Sequence, residues 1–185
     1  MGVLKPLACA GLVAALLGCA PMAPALAQEP ESTSDSALKA AFLFNFAKFT
    51  EWPALPPGQP LVLCVVGDQR IADALAEIVR GKTIGDRGLH VPDTTDLSPE
   101  ACHVLFVSRS EARALKGIVD ALKTRPILTV SDGKGFAQSG GIVEFVIERD
   151  QMRFIANPKA ATRAGLKLSS RLLGLARIVD EDHGY

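Results

Sequence analysis

The sequence predicts an α/β fold: a mostly parallel, doubly wound sheet flanked by helices, with a C-terminal antiparallel hairpin and a final helix. Two observations support this fold class. Short, uninterrupted apolar segments, typical of strands buried on both faces of a parallel sheet, alternate with segments of helical periodicity. In the last third of the chain, two strand-like segments follow each other directly, which indicates a hairpin. Connections between the parallel strands are expected to be right-handed.

Residues 1–27 predict a secretion signal. Lys5 provides the positive charge, residues 7–17 are apolar but too few to span a bilayer comfortably, and residues 25–27 read Ala-Leu-Ala, as a signal peptidase site does. A second interpretation stays open, because residues 16–19 have the form of a lipoprotein processing box. Cys19 would then be acylated and would tether the mature chain to a membrane. Either way the chain is exported, and we expect it in the periplasm.

The remainder of the chain is long enough for one domain. Residues 28–36 are polar and contain proline, which predicts a disordered lead-in; residues 37–179 form the predicted domain, and residues 180–185 form a solvated tail. The 20 basic residues balance 20 acidic ones, and no basic run is present, so nothing indicates a nucleic-acid partner. After the signal, no apolar segment is long enough to cross a membrane.

The domain begins with an amphipathic helix, for which Ser34, Asp35 or Ser36 is the candidate N-cap. At 100° per residue, Phe44 falls on the side opposite the predicted buried face. It either packs beneath the segment arriving from Trp52 or belongs to a partner-facing patch. The helix is expected to end before Pro53. The predicted buried face consists of Leu38, Phe42, Asn45, Phe46 and Phe49.

The central segments follow in the order strand, helix, strand, strand, helix, strand. Residues 61–66 form an uninterrupted apolar strand, and the glycine at position 67 turns the chain into a helix with apolar residues at helical spacing up to position 79. This is the first half of a βαβ unit. The remaining predicted elements are strands at 89–91, 103–107 and 127–130 and a helix at 111–123.

Cys64 and Cys102 are the two cysteines that remain in the folded part. In an oxidising compartment two such thiols form most simply a structural disulfide. Cys64 lies within one predicted strand and Cys102 just before the next long one, so neighbouring strands would bring them within bridging range. Two buried free thiols are one alternative, and a redox-active pair is another.

The last third predicts a hairpin of strands at 142–147 and 152–156. With a period of two, Phe145, Ile147, Met152 and Phe154 share the core face, and Glu144, Val146, Arg153 and Ile155 share the other. Asn157 and Pro158 then start the final helix as N-cap and first residue. Its predicted apolar stripe consists of Ala161, Ala164, Leu168, Leu172, Leu175 and Val179.

The sequence does not match the common catalytic and nucleotide-binding motifs. Gly67 lacks the two further glycines of a dinucleotide-binding turn, and residues 133–135 lack the spacing of a phosphate loop. No nucleophile elbow is present. His90, His103 and His183 do not have metal-ligand spacing relative to each other or to carboxylates and thiols. We therefore expect no catalytic, cofactor or metal site, and a binding or regulatory role is left.

Several segments of the predicted domain form a distinctive joint pattern. They are the phenylalanine-rich residues 39–49, Glu51-Trp52-Pro53, Val66-Gly67-Asp68, residues 154–157 and residues 165–173. Together these segments resemble the YfiR family of periplasmic regulators. The likeness extends from Ala37 to Val179. It implies a small α/β protein that dimerises, binds the periplasmic sensor region of an inner-membrane diguanylate cyclase and holds the cyclase inactive. Release through redox or envelope stress would raise cyclic di-GMP inside the cell and favour biofilm growth.

This chain departs from the better-studied members of that family, which carry a further cysteine pair in the C-terminal third. It has none there. The resemblance therefore does not extend to redox control through a second bridge.

The outward side of the hairpin is the expected partner surface, with Val146 and Ile155 rimmed by Glu144 and Arg153, and with Phe44 as a further candidate. The alternative is that the final helix covers Val146 and Ile155. A different hypothesis is a periplasmic small-ligand receptor that feeds a membrane sensor kinase. Its cleft would open at the carboxyl ends of the strands, near residues 67–68 and 108–109.

Overall fold

A computed structural model describes residues 30–93 and 98–179, together with Gly2. Apart from Gly2, the predicted signal of residues 1–27, including Cys19, lies outside the described residues, as does the tail of residues 180–185. Among the described helices, none combines the length and the apolar character needed to cross a membrane.

The centre of the molecule is an eight-stranded, mostly parallel sheet. Its strands are β2 (Leu61–Val66), β3 (Thr83–Ile84), β4 (Arg87–His90), β5 (Val104–Val107), β6 (Leu128–Ser131), β7 (Val143–Glu148), β8 (Gln151–Ala156) and β10 (Arg177–Ile178). They are arranged in the order β10-β8-β7-β6-β5-β2-β4-β3, and β7 and β8 form the antiparallel hairpin. A separate two-stranded sheet pairs β1 (Thr50–Glu51) with β9 (Lys167–Leu168). The predicted α/β class and the parallel pairing of β2, β5 and β6 are confirmed.

Within the described part of the chain, five α-helices accompany the sheet: α1 (Pro30–Lys48), α2 (Gln69–Val79), α3 (Ala112–Leu122), α4 (Pro158–Arg163) and α5 (Ser170–Leu173). α1 and α2 pack against each other over the larger part of the core. A smaller cluster of buried residues joins α3 to β2 and β5 and contains both cysteines. The carboxylate of Asp68 caps α2 by accepting from the backbone N–H groups of Arg70 and Ile71.

Two expectations about α1 are wrong. The helix starts at Pro30, so residues 30–36 are helical; proline is tolerated at the first helical position because its missing N–H would have no partner there. The buried face is also rotated: Leu38 is 45% exposed and Asn45 is exposed, whereas Lys39 and Leu43 are buried. α1 meets both the sheet and α2, so a single apolar stripe does not define its contacts.

A cluster of phenylalanines fixes α1 to the sheet. The ring of Phe46 contacts those of Phe154, at a centroid distance of 4.9 Å, and Phe145, at 5.6 Å. Phe42 lies 5.8 Å from Phe145 in an edge-on arrangement. Such aromatic pairs contribute about 0.5–1.5 kcal/mol each beyond their buried area. The hairpin and the first helix are therefore held as one unit.

The hairpin departs from the predicted division into a core face and an outer face. β6 pairs only with Val143 and Glu144, so the rest of β7 extends past the carboxyl end of β6. Ile147, expected in the core, is therefore 65% exposed, and its cross-strand neighbour Met152 is half-buried. Phe145 and Phe154 are buried as predicted.

Glu144 and Ile155 were expected on an exposed face, and this expectation is wrong, because they are only 2% and 1% exposed. The loop between β6 and β7 folds onto Glu144, whose carboxylate accepts hydrogen bonds from the backbone N–H groups of Gly135 and Ala137, both at 3.0 Å. Ile155 lies opposite Glu144 on a strand that β10 covers on its other side.

The predicted continuous final helix is absent from the described residues. Asn157 caps α4 through a hydrogen bond from the N–H of Ala160, as expected, but the helix ends before Gly165, which has φ of +74°. Glycine adopts this conformation without a steric penalty, so it is the usual residue just after a helix. The chain then forms β9, the short helix α5 and the edge strand β10.

Candidate functional site

A groove of about 600 Å³ opens at the carboxyl end of β6, between the first turns of α1 and the β7–β8 hairpin. We call it the α1–hairpin groove. Its charged wall includes Asp35 and Lys39 of α1 and Asp132, which directly follows β6. Apolar atoms of Ile147 and Met152 line the hairpin side. The groove therefore combines an apolar wall with a set of fixed charges.

Lys39 and Asp132 form a buried ion pair at the groove. The Lys39 ammonium donates a hydrogen bond to Asp132 Oδ2 at 2.8 Å, and both side chains are only 8% exposed. Asp35, one helical turn before Lys39, lies 3.0 Å from the same ammonium group. The pair joins α1 to the end of β6 across the wall of the groove.

Two opposing effects act on the pKa of Lys39. Burial lowers it, because the charged form loses hydration, while the hydrogen bonds with Asp132 and Asp35 and the charges of both carboxylates raise it. The raising effects prevail, and the pKa lies above its ordinary value. Lys39 is therefore a permanent cation at neutral pH.

Asp132 also orders the turn after β5. Its Oδ1 accepts a hydrogen bond from the backbone N–H of Arg109 at 2.6 Å, and the Arg109 Nε lies 3.5 Å from its Oδ2. One carboxylate thus connects α1, β6 and the turn that precedes α3. The Arg109 side chain itself is 71% exposed and stays available at the mouth of the groove.

The outer rim of the groove is formed by the end of the hairpin and by β10. Ile147 and half-buried Val146 supply its apolar part. Glu148 accepts a hydrogen bond from Arg177 at 2.7 Å, and both side chains are largely exposed. Such an exposed ion pair contributes about 0–1 kcal/mol to stability, so a binding partner can break it at little cost.

The candidate partner residues do not all lie together. Val146 and Glu144 line the groove, although Glu144 is buried among loop N–H groups. Arg153 is exposed on the hairpin and donates to Gln151 at 2.8 Å. Phe44 lies elsewhere: it is half-buried, with the Lys82 ammonium 5.0 Å from its ring centroid.

The cleft expected at residues 67–68 and 108–109 is only partly present. Gly67 has φ of +85°, and a Cβ at this position would lie 2.7 Å from the Ser110 hydroxyl, so the turn is closely packed. Asp68 is engaged in capping α2. Of the expected residues, Arg109 alone lines the groove, which opens further along the carboxyl edge, at β6 and β7.

A disulfide joins Cys64 to Cys102, as predicted, with 5.9 Å between their Cα atoms. Both residues are at most 2% exposed and lie in the smaller core cluster, away from the residues that line the groove. This position fits a structural bridge that fastens the start of β5 to the middle of β2.

Most of the residues that line the groove were not predicted as site residues, among them Lys39, Asp132 and Ile147. Two of these three carried a signal. Lys39 is a charged residue at the start of an otherwise apolar helical segment, and Asp132 directly follows a buried strand, where the carboxyl edge of a parallel sheet places binding groups. The exposure of Ile147 carried no local signal, because it depends on how far β7 extends past β6.

Most charged groups of the groove bond to one another or to backbone amides. Lys39 and Asp132 hold each other, and Glu144 holds a loop. Within residues 30–93 and 98–179, no three His, Cys, Asp or Glu side chains come together as a metal site requires.

One comparison with known proteins is informative. The family described as YfiR/HmsC-like matches residues 36–177 of this chain, which span most of α1, all the strands from β1 to β9 and the first residue of β10. The matched segment includes every residue of the α1–hairpin groove except Asp35. The chain belongs to the YfiR/HmsC-like family.

Proposed function

We propose that this protein is a periplasmic regulator that binds the periplasmic sensor region of an inner-membrane diguanylate cyclase and holds the enzyme inactive. Family membership supports the regulatory role. The protein would control cyclic di-GMP inside the cell, and with it biofilm formation. A regulator of this kind acts only if it binds the inactive conformation of the cyclase more tightly than the active one.

We further propose that the rim of the α1–hairpin groove makes the contact. The observation that carries this assignment is the 65% exposure of Ile147 on the hairpin, next to half-buried Val146 and Met152. An exposed apolar side chain beside fixed charges suits a protein contact, in which an apolar centre is surrounded by a polar rim. Arg153 and the Glu148–Arg177 pair supply that rim.

The test is the affinity of the purified protein for the purified periplasmic region of the cyclase. Ile147→Arg and Arg153→Glu are expected to weaken binding at least tenfold. Leu175→Arg is the matched control, because Leu175 is 70% exposed and does not line the groove. If the hairpin variants bind as tightly as the wild type while binding itself persists, the hairpin is not the contact surface.

A second candidate function is that of a periplasmic small-ligand receptor that feeds a membrane sensor kinase. The volume of the groove favours it, because about 600 Å³ lies in the range of small-molecule pockets. Native mass spectrometry of protein taken from the periplasm would detect a retained ligand, and Lys39→Met would reduce its occupancy. Protein that carries no ligand and sheds none on denaturation would speak against this role.

We also propose that the protein is a homodimer, as the family resemblance implies, and that Ala27 is the last residue of the signal. Light scattering during size-exclusion chromatography tests the first proposal. The mass of the mature chain tests the second, because acylation at Cys19 would give a heavier form that begins at that cysteine.

A further inference from the structure

One side of β7 has no neighbouring strand inside the α1–hairpin groove. β8 pairs with β7 as far as Glu148, whereas the pairing of β6 with β7 ends at Glu144. The chain leaves the sheet directly after β6, where the N–H of Gly133 donates to the Ser131 Oγ at 3.0 Å. Residues 145–148 of β7 therefore border the groove, and all four of them line it.

The two ends of the hairpin fix which backbone groups of β7 face the groove. The turn residues 149–150 have φ of 52° and 59°, as in a two-residue turn whose flanking residues bond to each other. At the other end, the N–H of Asn157 donates to the C=O of Ile142 at 2.8 Å. In an antiparallel pair, residues that bond across alternate with residues that do not, so the backbone groups of Phe145 and Ile147 point away from β8.

The backbone of Ile147 is open on the groove side. Its N–H and C=O lie beyond the end of β6, and so does the C=O of Phe145. Within residues 30–93 and 98–179, no hydrogen bond from a loop or a side chain reaches the backbone of either residue. Open strand groups of this kind bind an extended backbone, because a strand presents donors and acceptors at the matching spacing.

The groove also selects among extended segments by its two walls. Phe145 and Ile147 share the face of β7 that meets α1, where the ring of Phe145 contacts that of Phe42. The loop that bonds to Glu144 lies on the other face and carries Lys134 into the groove. A strand beside β7 would thus place alternate side chains against an apolar wall and against a charged one.

We propose that the binding partner adds an extended segment to β7 as a new strand, in the place that β6 leaves open beside residues 145–148. The inference rests on the function proposed above, because it states how the sensor region of the cyclase makes its contact. The open part of β7 is about 13 Å long, so the segment pairs over three or four residues. Its side chains alternate, with apolar ones towards α1 and polar ones towards Lys134.

The hairpin has a second open edge, which serves as an internal control. β10 pairs only with Ile155 and Ala156, so the outer side of β8 is open at Met152, whose backbone groups point away from β7. Four consecutive residues of β7 line the groove, but Met152 is the one residue of β8 that does. The proposal therefore concerns the edge of β7 and not that of β8.

Amide hydrogen exchange of the wild-type protein, followed residue by residue by NMR, tests the pairing. The Ile147 amide is expected to exchange quickly in the free protein. Saturating amounts of the purified periplasmic region of the cyclase should slow its exchange at least tenfold, and that of the Met152 amide by less than twofold.

The possible outcomes separate this inference from the proposed function. A complex that forms without slowing exchange at Ile147, or that protects Met152 instead, would overturn the inference and leave the proposed function standing. Slow exchange at Ile147 already in the free protein would also overturn it, because a second copy or the chain itself would then occupy this side. If no complex forms, the proposed function fails, and the inference fails with it.

Substitution separates the backbone contact from the side-chain contact. Ile147→Pro removes the N–H that faces the groove and leaves the bonds to β8 in place, because these come from the neighbouring residues. It should weaken binding at least fivefold more than Ile147→Ala, which keeps the N–H and removes most of the side chain. Equal affinities of the two variants would contradict the inference. Where Ile147→Pro does not fold, the exchange measurement on the wild type decides.

Discussion

At the scale of single residues, Lys39 joins two elements of the α1–hairpin groove. Its buried ammonium group connects α1 to the end of β6 through Asp132. Removing one partner of a buried ion pair is costly, because the other charge stays buried with less compensation. The groove is therefore built on a contact that tolerates little change.

We expect Lys39→Met to lower the free energy of unfolding by about 3 kcal/mol, because it leaves the Asp132 carboxylate buried with only Arg109 beside it. Lys48→Met, at an exposed position of the same helix, should change it by no more than about 1 kcal/mol, because it loses only an exposed cation–π contact with Phe49. Urea denaturation of both variants gives the comparison. Equal midpoints would mean that the buried pair does not stabilise the fold.

His103 is expected to make the folded protein less stable as the pH falls. Its pKa is lower in the folded state than in the unfolded chain, so protonation favours unfolding. The free energy of unfolding should decrease as the pH falls from about 6.5, the ordinary histidine pKa, towards the folded-state pKa. His103→Asn, which can still accept from Val62, should flatten this part of the profile, while exposed His90→Asn should not. Parallel profiles for all three proteins would contradict this account.

At this scale, the local sequence pattern predicted on which side of a strand a residue lies, but it did not predict the tertiary contacts of that residue. Alternation placed Glu144 and Phe145 correctly on opposite sides of β7, but it could not show that a loop seven to nine residues away would cover Glu144. Lys39 and Asp132 are 93 positions apart in sequence, so the local sequence pattern cannot predict their contact.

At the scale of elements, the chain after α4 shows how one glycine ends a helix. Gly165 at φ of +74° allows its N–H to bond to Thr162 and that of Leu166 to Ala161. This conformation redirects the chain into β9, which pairs with β1 next to the first helix. The C-terminal third thereby contacts the N-terminal helix region.

We expect Gly165→Ala to destabilise the protein by about 1 kcal/mol, because alanine is strained in the left-handed region even where space is free. Gly117→Ala is the matched control with the opposite sign. Gly117 lies within α3 with open space around it, and alanine should stabilise that helix by about 0.5–1 kcal/mol. Thermal unfolding resolves the difference, and shifts of equal sign would contradict the assignment.

Elements were predictable where the hydrophobic pattern had one interpretation. β2 matches its predicted limits, and β5 and β6 lie within one residue of theirs, because largely apolar runs are buried on both faces of the sheet. The final helix was not predictable in this way. Its apolar residues keep helical spacing beyond Gly165, yet they are distributed over β9, α5, the turn before β10 and the residue after β10.

At the scale of the whole molecule, the disulfide connects two central strands through a loop closed over 38 residues. In the chain-entropy description, such a bridge stabilises a protein by about 4 kcal/mol through the unfolded state. We expect the double variant Cys64→Ala/Cys102→Ala to lose about that much in urea denaturation and to be insensitive to reductant. A wild-type midpoint for this variant would show that the bridge is not structural.

The fold class could be predicted from the sequence because strand and helix patterns alternate along most of the domain. The functional class was predicted from the family resemblance. The family match over residues 36–177 confirms the resemblance itself. The groove could not be predicted, because it arises where α1, the end of β6 and an overhanging hairpin meet. Its position depends on strand lengths and pairing, which are properties of the assembled sheet.

The most direct test of the proposed function is the activity of the diguanylate cyclase in cells, measured as intracellular cyclic di-GMP. Deletion of this protein should raise cyclic di-GMP, and the wild type should restore the low level. Leu175→Arg should restore it as well, whereas Ile147→Arg, secreted to the same amount, should not. An unchanged cyclic di-GMP level on deletion would contradict the account.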